Sequence, residues 1–367
     1  MKIKRIGIMT AGGDCPGLNA VIRAVARTAR SHGIEVMGIA DGFLGLIENR
    51  VHQLSDDDVC HILALGGTVL GSSNKANPGR VVVGTDAQGK PTFEDRWDHC
   101  LSVVRSHEID AVVIAGGDGS MTVGGEMLAR AAAKGWDFNI IGIPKTIDND
   151  LWGTDLTFGF QTAATIATEA LDRIQTTAAS HHRAMVVEVM GRNAGWIALE
   201  AGVASGSDFI LMPEIPFSFD TLCSQIEKRG ARAYSVVCVS EGAKPKGGEQ
   251  VVARVDPTSP DPIRLGGVAA FVAARIEKET GVEARHVVLG HVQRGGTPVA
   301  LDRVLGTRFG FEAVELLVQG ERNRLVAIQK GAVTHVPLET ACGKQRTVPH
   351  NHPLVRAAKA TGVSFAD

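Results

Sequence analysis

Three short runs carry side chains that could do chemistry. They are Gly12-Gly13-Asp14-Cys15-Pro16-Gly17, Gly116-Gly117-Asp118-Gly119-Ser120 and Pro144-Lys145-Thr146-Ile147-Asp148-Asn149-Asp150, and each follows an apolar stretch. Glycines in such turns let backbone N–H groups approach a phosphate at a helix N-terminus. In the second run Asp118 could hold a hard cation through oxygen, and Ser120 could cap the next helix or touch phosphate. In the third run an extended chain would turn Thr146, Asp148 and Asp150 to one face. One aspartate could then take a proton from an acceptor hydroxyl while acidic neighbours organise Mg²⁺, the needs of phosphoryl transfer to an alcohol. Each run also has a purely structural reading, as a glycine-rich βα turn, a helix cap or an Asp-Asn-Asp turn.

Basic residues recur further along. His291-Val292-Gln293-Arg294-Gly295-Gly296-Thr297-Pro298 follows Arg285, and Met190-Gly191-Arg192 follows Arg183 across an apolar run. Arginine grips a phosphate monoester bidentately, so arginines gathered at strand ends suggest a dianion pocket.

The elements that must position these residues read as α/β. Strands are expected at Ile3–Met9, Val36–Ala40, Ala111–Ala115, Asn139–Ile143, Met185–Met190, Tyr234–Val239 and His286–Leu289. They are almost wholly apolar, as strands covered by helices on both faces should be. Helices are expected at Leu18–Ser31, Thr122–Lys134, Thr162–Thr176, Gly195–Val203, Thr221–Arg229, Val268–Lys278 and Arg303–Val318. The stretches Gly242–Gly248 and Asp256–Pro262 read as surface loops. A length of 367 residues suits two domains, with a division near residue 160. The net charge of −2 gives no basic field to recruit nucleic acid or an anionic membrane. Six cysteines without a C-x-x-C pair read as reduced thiols of a cytoplasmic protein. The start, Met-Lys-Ile-Lys-Arg, leads into only a short apolar run, which fits neither a signal peptide nor a membrane span.

Taken in chain order, these pieces resemble the 6-phosphofructokinases. The resemblance rests on Gly12–Asn19, Asp41-Gly42-Phe43, Gly66-Gly67-Thr68-Val69-Leu70-Gly71, Gly116–Ser120, Thr146–Asp150, Val187–Gly195, Leu289–Pro298 and Asp302-Arg303. It implies two similar α/β domains with mostly parallel sheets flanked by helices and the active site in the cleft between them. Residues 1–160 would bind donor and Mg²⁺, 161–320 would bind fructose 6-phosphate, and 321–367 would form a C-terminal segment that helps complete the first domain. By resemblance Asp148 is the general base on the sugar 1-hydroxyl, with Asp150 and Thr146 beside it, Asp118 the Mg²⁺ carboxylate, and Arg192 the stabiliser of the transferring group. Gly12, Gly117, Gly119 and Ser120 would line the donor phosphates. Met190, Gly191, Glu241, His291 and Arg294 would contact fructose 6-phosphate. Arg183 and Arg285 match positions that reach the sugar phosphate from a neighbouring subunit, which implies a homo-oligomer, dimer or tetramer, with shared active sites.

The resemblance is closest to the ATP-dependent type, in a mixed subgroup that also contains pyrophosphate-dependent members. Gly119 favours ATP, because pyrophosphate users carry an aspartate there that blocks the nucleotide α-phosphate. Lys145 stands where the best-known bacterial ATP enzymes have glycine, and leaves pyrophosphate as the alternative donor. Asn74 replaces a donor-bridging arginine, a task that Lys75 could take over as a point charge. Arg23 and Arg27 match effector-binding arginines of bacterial members, with Asp208 and Arg232 loosely consistent, but Gln175 replaces another, so nucleotide activation is not implied. A non-catalytic sugar-phosphate sensor would be expected to lose a carboxylate, yet Asp118, Asp148 and Asp150 are all present. The G-x-G-x-x-G pattern of dinucleotide-binding dehydrogenases fails at Gly12-Gly13-Asp14.

Overall fold

The computed structural model describes residues 3–230, 233–258 and 262–367. The chain begins β1 (Arg5–Thr10), α1 (Leu18–Ser31), β2 (Glu35–Ile39), α2 (Phe43–Ile47), β3 (Val51–Gln53) and α3 (Asp56–Val59). A hairpin of β4 (Val81–Thr85) and β5 (Pro91–Glu94) follows, then α4 (Trp97–Ser106), β6 (Ala111–Gly116), α5 (Asp118–Ala133) and β7 (Asn139–Pro144). Next come α6 (Phe160–His181), β8 (Ala184–Val189), α7 (Trp196–Ala204), β9 (Phe209–Leu211), α8 (Phe219–Lys228) and β10 (Ser235–Ser240). A second hairpin, β11 (Val252–Val255) and β12 (Ile263–Leu265), leads to α9 (Val268–Thr280), β13 (Ala284–Val288) and α10 (Ala300–Val318). Strands β14 (Arg324–Gln329) and β15 (Ala332–Pro337) and helix α11 (Pro353–Ala360) end the order.

Two sheets carry the fold. The larger has the order β15-β14-β7-β6-β1-β2-β3 and is parallel except at its edges, where β3 and β15 run antiparallel. The smaller, β13-β8-β10-β9, is parallel throughout. Strands β6, β7, β8 and β10 are buried at every residue because helices cover both faces, which is why their sequences show no polar alternation. Buried residues run without a break from Ile8 and Val113 in the larger sheet, through Phe160 and Ala167 on α6, to Val187 and Val189 in the smaller.

The chain past residue 300 returns to the larger sheet. Helix α10 packs on α1 at close range, since a Cβ at Gly310 would stand 2.7 Å from that of Ala24 and 2.8 Å from the Val21 carbonyl oxygen. Strands β14 and β15 then extend the sheet beside β7. The last residues cross back, with Ile210 N donating to Ser364 O at 2.9 Å next to β9. Among the described residues no helix is long and apolar enough to cross a membrane.

Two expectations change. The strand expected at His286–Leu289 is an edge strand, β13, with Arg285, His286 and Val288 exposed rather than covered on both faces. The surface loop expected from Asp256 stands at Pro257 and Thr258, which are exposed after β11, while residues 259–261 lie outside the described residues. Helix α5 begins at Asp118 rather than Thr122, so Asp118, Gly119 and Ser120 of the second glycine-rich run lie in its first turn.

Candidate active site

The C-terminal ends of β1, β6, β7, β8 and β10 deliver the predicted residues to one region, as parallel sheets do. After β1, Gly12 takes φ 84°, a left-handed value that glycine adopts without strain. Its N–H donates to Ser73 O at 3.1 Å and its carbonyl accepts from Ser72 Oγ at 2.5 Å. A cleft of about 350 Å³ opens here, lined by Gly12, Gly13, Asp14, Thr68, Ser72 and Asn74. Lys145, at the end of β7, is buried and its Nζ donates to Gly13 O at 2.7 Å. Burial pushes this ammonium below the usual lysine range, against the pull of Cys15, and Arg294 pushes the same way as burial.

The acidic run is a turn rather than the extended segment expected. Asp148 N donates to Thr146 Oγ1 at 3.1 Å, and Asn149 takes a left-handed φ of 51°. Buried Asn149 is fixed there by Thr157 N, which donates to its Oδ1 at 3.1 Å. The turn still brings the two aspartates together. Burial, then the charges of Asp148 and Asp118, push the Asp150 carboxyl up to about 7. Asp148 is pushed up chiefly by burial, while Arg294, Lys145 and Arg192 pull it back. Its Oδ1 is enclosed and accepts no hydrogen bond from the protein. A carboxylate oxygen left unsatisfied in this way costs about 1–3 kcal/mol and is suited to a proton or a ligand donor.

Asp118 is the first residue of α5, and an added Cβ at the neighbouring Gly119 would meet open space. No group of three or more His, Cys, Asp or Glu able to hold a metal occurs among the described residues. A single carboxylate at a phosphate-binding turn suits Mg²⁺, which takes one or two carboxylates and completes its shell with phosphate oxygens and water.

After β8, two residues in succession have positive φ, Gly191 at 129° and Arg192 at 37°. A non-glycine residue held there stores about 1–3 kcal/mol of strain, so its surroundings must enforce the geometry. They do so by contact on both sides. Arg192 N donates to Glu241 Oε1 at 3.2 Å, and Arg192 Nη2 donates to Ile263 O at 3.3 Å on β12. A Cβ at Gly242 would lie 1.5 Å from the Arg192 carbonyl oxygen, so only glycine fits beneath the turn. Burial, then the nearby Asp148, push Glu241 up to about 7. Met190 N reaches buried Gln293 Oε1 at 3.4 Å, and Arg294 Nη1 donates to Asp14 O at 3.0 Å, tying the His291–Pro298 segment to both loops.

Not every predicted residue gathers here. Arg183 and Arg285 lie at the N-terminal ends of β8 and β13, both paired with Glu283, at 2.7 Å and 2.5 Å. A six-residue strand separates Arg183 from Met190, about 20 Å at roughly 3.3 Å per residue. The single dianion pocket expected from arginines at strand ends is therefore not formed within one chain. His291 is exposed. Lys75, next in sequence to the cleft-lining Asn74, is exposed and paired with Asp256 at 3.0 Å. Arg23 and Arg27 lie on α1, Asp208 pairs with Arg229 at 2.7 Å, and Arg232 is outside the described residues. Four residues in contact with these segments had no role assigned from sequence: Gly242 and Asp256, read only as loop residues, and Gln345 and Arg346.

The family model for phosphofructokinase matches residues 5–317, and the chain belongs to that family. Over 369 aligned residues it is 47% identical to ATP-dependent 6-phosphofructokinase 2 of Clostridium perfringens, covering 100% of this chain and 99% of that one. It is 44% identical to the pyrophosphate–fructose 6-phosphate 1-phosphotransferase of Amycolatopsis methanolica, covering 94% and 96%. In fold it is similar to the crystal structure of the pyrophosphate-dependent phosphofructokinase of Marinobacter aquaeolei, with a TM-score of 0.80 at 23% identity over 99% of this chain and 92% of that one.

Proposed function

We propose that the chain is an ATP:D-fructose-6-phosphate 1-phosphotransferase, the kinase that makes fructose 1,6-bisphosphate in glycolysis. The observation that carries this reading is Asp148, a carboxylate raised by burial, with one enclosed oxygen unpartnered and three cations acting on it. A base with a raised pKa takes a proton from an alcohol more readily than a solvated aspartate does. Asp148 takes the proton of the sugar 1-hydroxyl as that oxygen attacks the terminal phosphorus of ATP, whose bond to the bridging oxygen breaks and releases ADP. Arg192, held by Glu241 and the Ile263 carbonyl, stabilises charge on the transferring group. Thr146 and Asp150 fix the turn around the base. Gly12, Gly117, Gly119 and Ser120 offer backbone and hydroxyl donors to the donor phosphates, with Lys75 as a point charge. Asp118 would hold Mg²⁺, which when bound neutralises charge on those phosphates. Met190, Gly191, Glu241, His291 and Arg294 bind fructose 6-phosphate.

In this reading the larger sheet with α10, β14 and β15 forms the donor half, and residues 161 to about 300 form most of the acceptor half. Arg183 and Arg285 lie too far from Met190 to serve the site of their own chain. Their role in sugar-phosphate binding therefore requires a neighbouring copy, as dimer or tetramer. The protein acts in the cytoplasm, with its cysteines reduced.

A second reading takes pyrophosphate as donor. Lys145 favours it, because a buried ammonium beside the Gly13 carbonyl adds positive charge where a small, highly charged donor would sit.

Asp148→Asn tests the assignment of the base. Turnover should fall by about 10²–10⁴-fold while fructose 6-phosphate still binds, as read by calorimetry. Substantial remaining turnover would remove Asp148 from the role.

A further inference from the structure

The segment after β15 passes directly over the two turns that flank the reacting groups. Leu151 and Gln345 form an antiparallel bridge. Beside it, Arg346 N donates to Asp150 O at 2.6 Å and Arg346 Nη1 donates to Asn149 O at 3.0 Å. The Gln345 amide faces both ways. Its Nε2 donates to Asp150 Oδ2 and its Oε1 accepts from Asn193 Nδ2, each at 3.3 Å. One side chain thus joins the acidic turn after β7 to the strained turn after β8.

The segment is held firmly on the far side. The Arg346 guanidinium lies 4.0 Å above the Trp196 ring, whose Nε1 donates to Arg346 O at 3.0 Å. Two residues on, Val348 N donates to Glu214 Oε1 at 2.8 Å, and Glu214 also accepts from Gly195 N at 3.0 Å and 3.1 Å. His352 then meets Trp196 edge-on, with ring centroids 5.1 Å apart. Gln345 is therefore carried on a strap whose anchor is independent of the acidic turn.

We infer that Gln345 and Arg346 are positioning residues for phosphoryl transfer, holding Asn149 and Asp150 in register with the Arg192–Asn193 turn. This rests on the proposed role of Asp148. The acidic turn carries the base and the second turn carries the arginine for the transferring group. A misplacement of one relative to the other by about 1 Å can cost some 100-fold in rate without loss of ground-state binding.

Gln345→Ala and Gln345→Glu test this in the full chain, with Asp148→Asn as control. The alanine variant loses both amide contacts. The glutamate variant keeps the size and the acceptor for Asn193 but sets a carboxylate against Asp150. Both should lower kcat by about 10- to 100-fold with KM for fructose 6-phosphate and ATP and the melting temperature unchanged. A kcat unchanged in both would overturn the inference. So would a loss of activity that tracks loss of folded protein by circular dichroism, or a glutamate variant that behaves as wild type, since a mere space-filler tolerates glutamate. An Asp148→Asn protein that still turns over removes the base reading itself. An inactive Asp148→Asn beside a fully active Gln345→Ala sinks the strap alone.

Discussion

Lys75 and Asp256 meet at 3.0 Å across 181 positions of sequence, and so join the donor-side loop to the β11–β12 hairpin. Lys75 is largely exposed, so solvent and salt screen the pair and it adds little to stability. Its consequence is for binding, because an ammonium engaged by Asp256 must be released to serve a phosphate. Asp256→Asn should lower KM for the donor and leave the melting temperature alone, while Lys75→Met should raise it. Both effects should shrink as salt is added. A Lys75→Met enzyme with a wild-type donor KM would remove Lys75 from the donor site.

Three carboxyls near the reacting region are raised, Asp150 and Glu241 each to about 7 and Asp148 upward, all chiefly by burial. A base must be ionised to act, and Asp148 is held above the ordinary aspartate range, so kcat/KM for fructose 6-phosphate should fall on the acid side at a higher pH than a solvated aspartate would give. Stability should run the other way. A carboxyl whose folded pKa exceeds its unfolded value of about 4 contributes stability at low pH that is lost as pH rises through 7. Asp150→Asn should therefore flatten the decline in melting temperature between pH 5 and 8. An unchanged decline would contradict the assignment.

Gly242 has no room for a methyl group, since the Arg192 carbonyl oxygen would lie 1.5 Å from it. Gly242→Ala should displace the Arg192 turn and reduce kcat by about 100-fold, with the protein still folded by circular dichroism. Activity near wild type would mean that the turn relaxes without harm.

In the proposed reading Gly119 and Lys145 separate the donors. An added side chain at Gly119 meets open space in the protein, so Gly119→Asp should fold normally. It should nonetheless abolish use of ATP by occupying the path of the α-phosphate, while any use of pyrophosphate survives. Equal retention of ATP turnover would show that the donor runs elsewhere.

Much of the fold was legible because its central strands are buried on both faces and punctuated by glycine at their C-terminal ends. The run Ala111–Ala115, closed by Gly116, reads as a strand for that reason, and Asn139–Ile143 is closed by Pro144 instead. The hairpins did not read, because β4, β5, β11 and β12 are short and largely exposed, with Gly84 interrupting β4. Helix α4 and strands β14 and β15 also went unassigned. Within the site, residue types gave the chemistry while geometry departed from periodicity. Thr146, Asp148 and Asp150 converge through a turn at Asn149, where an extended loop was expected. Lys75–Asp256 and Gln345–Asp150 were out of reach, since nothing local in sequence reports a contact spanning 181 or 195 positions.

The most direct test is formation of fructose 1,6-bisphosphate by the purified protein from fructose 6-phosphate and Mg²⁺, with ATP and pyrophosphate compared as donors. Turnover with ATP, and little or none with pyrophosphate, is the predicted result, with Gly119 setting the donor and Lys145 tolerated. Turnover with pyrophosphate alone, or with neither donor, would contradict the account.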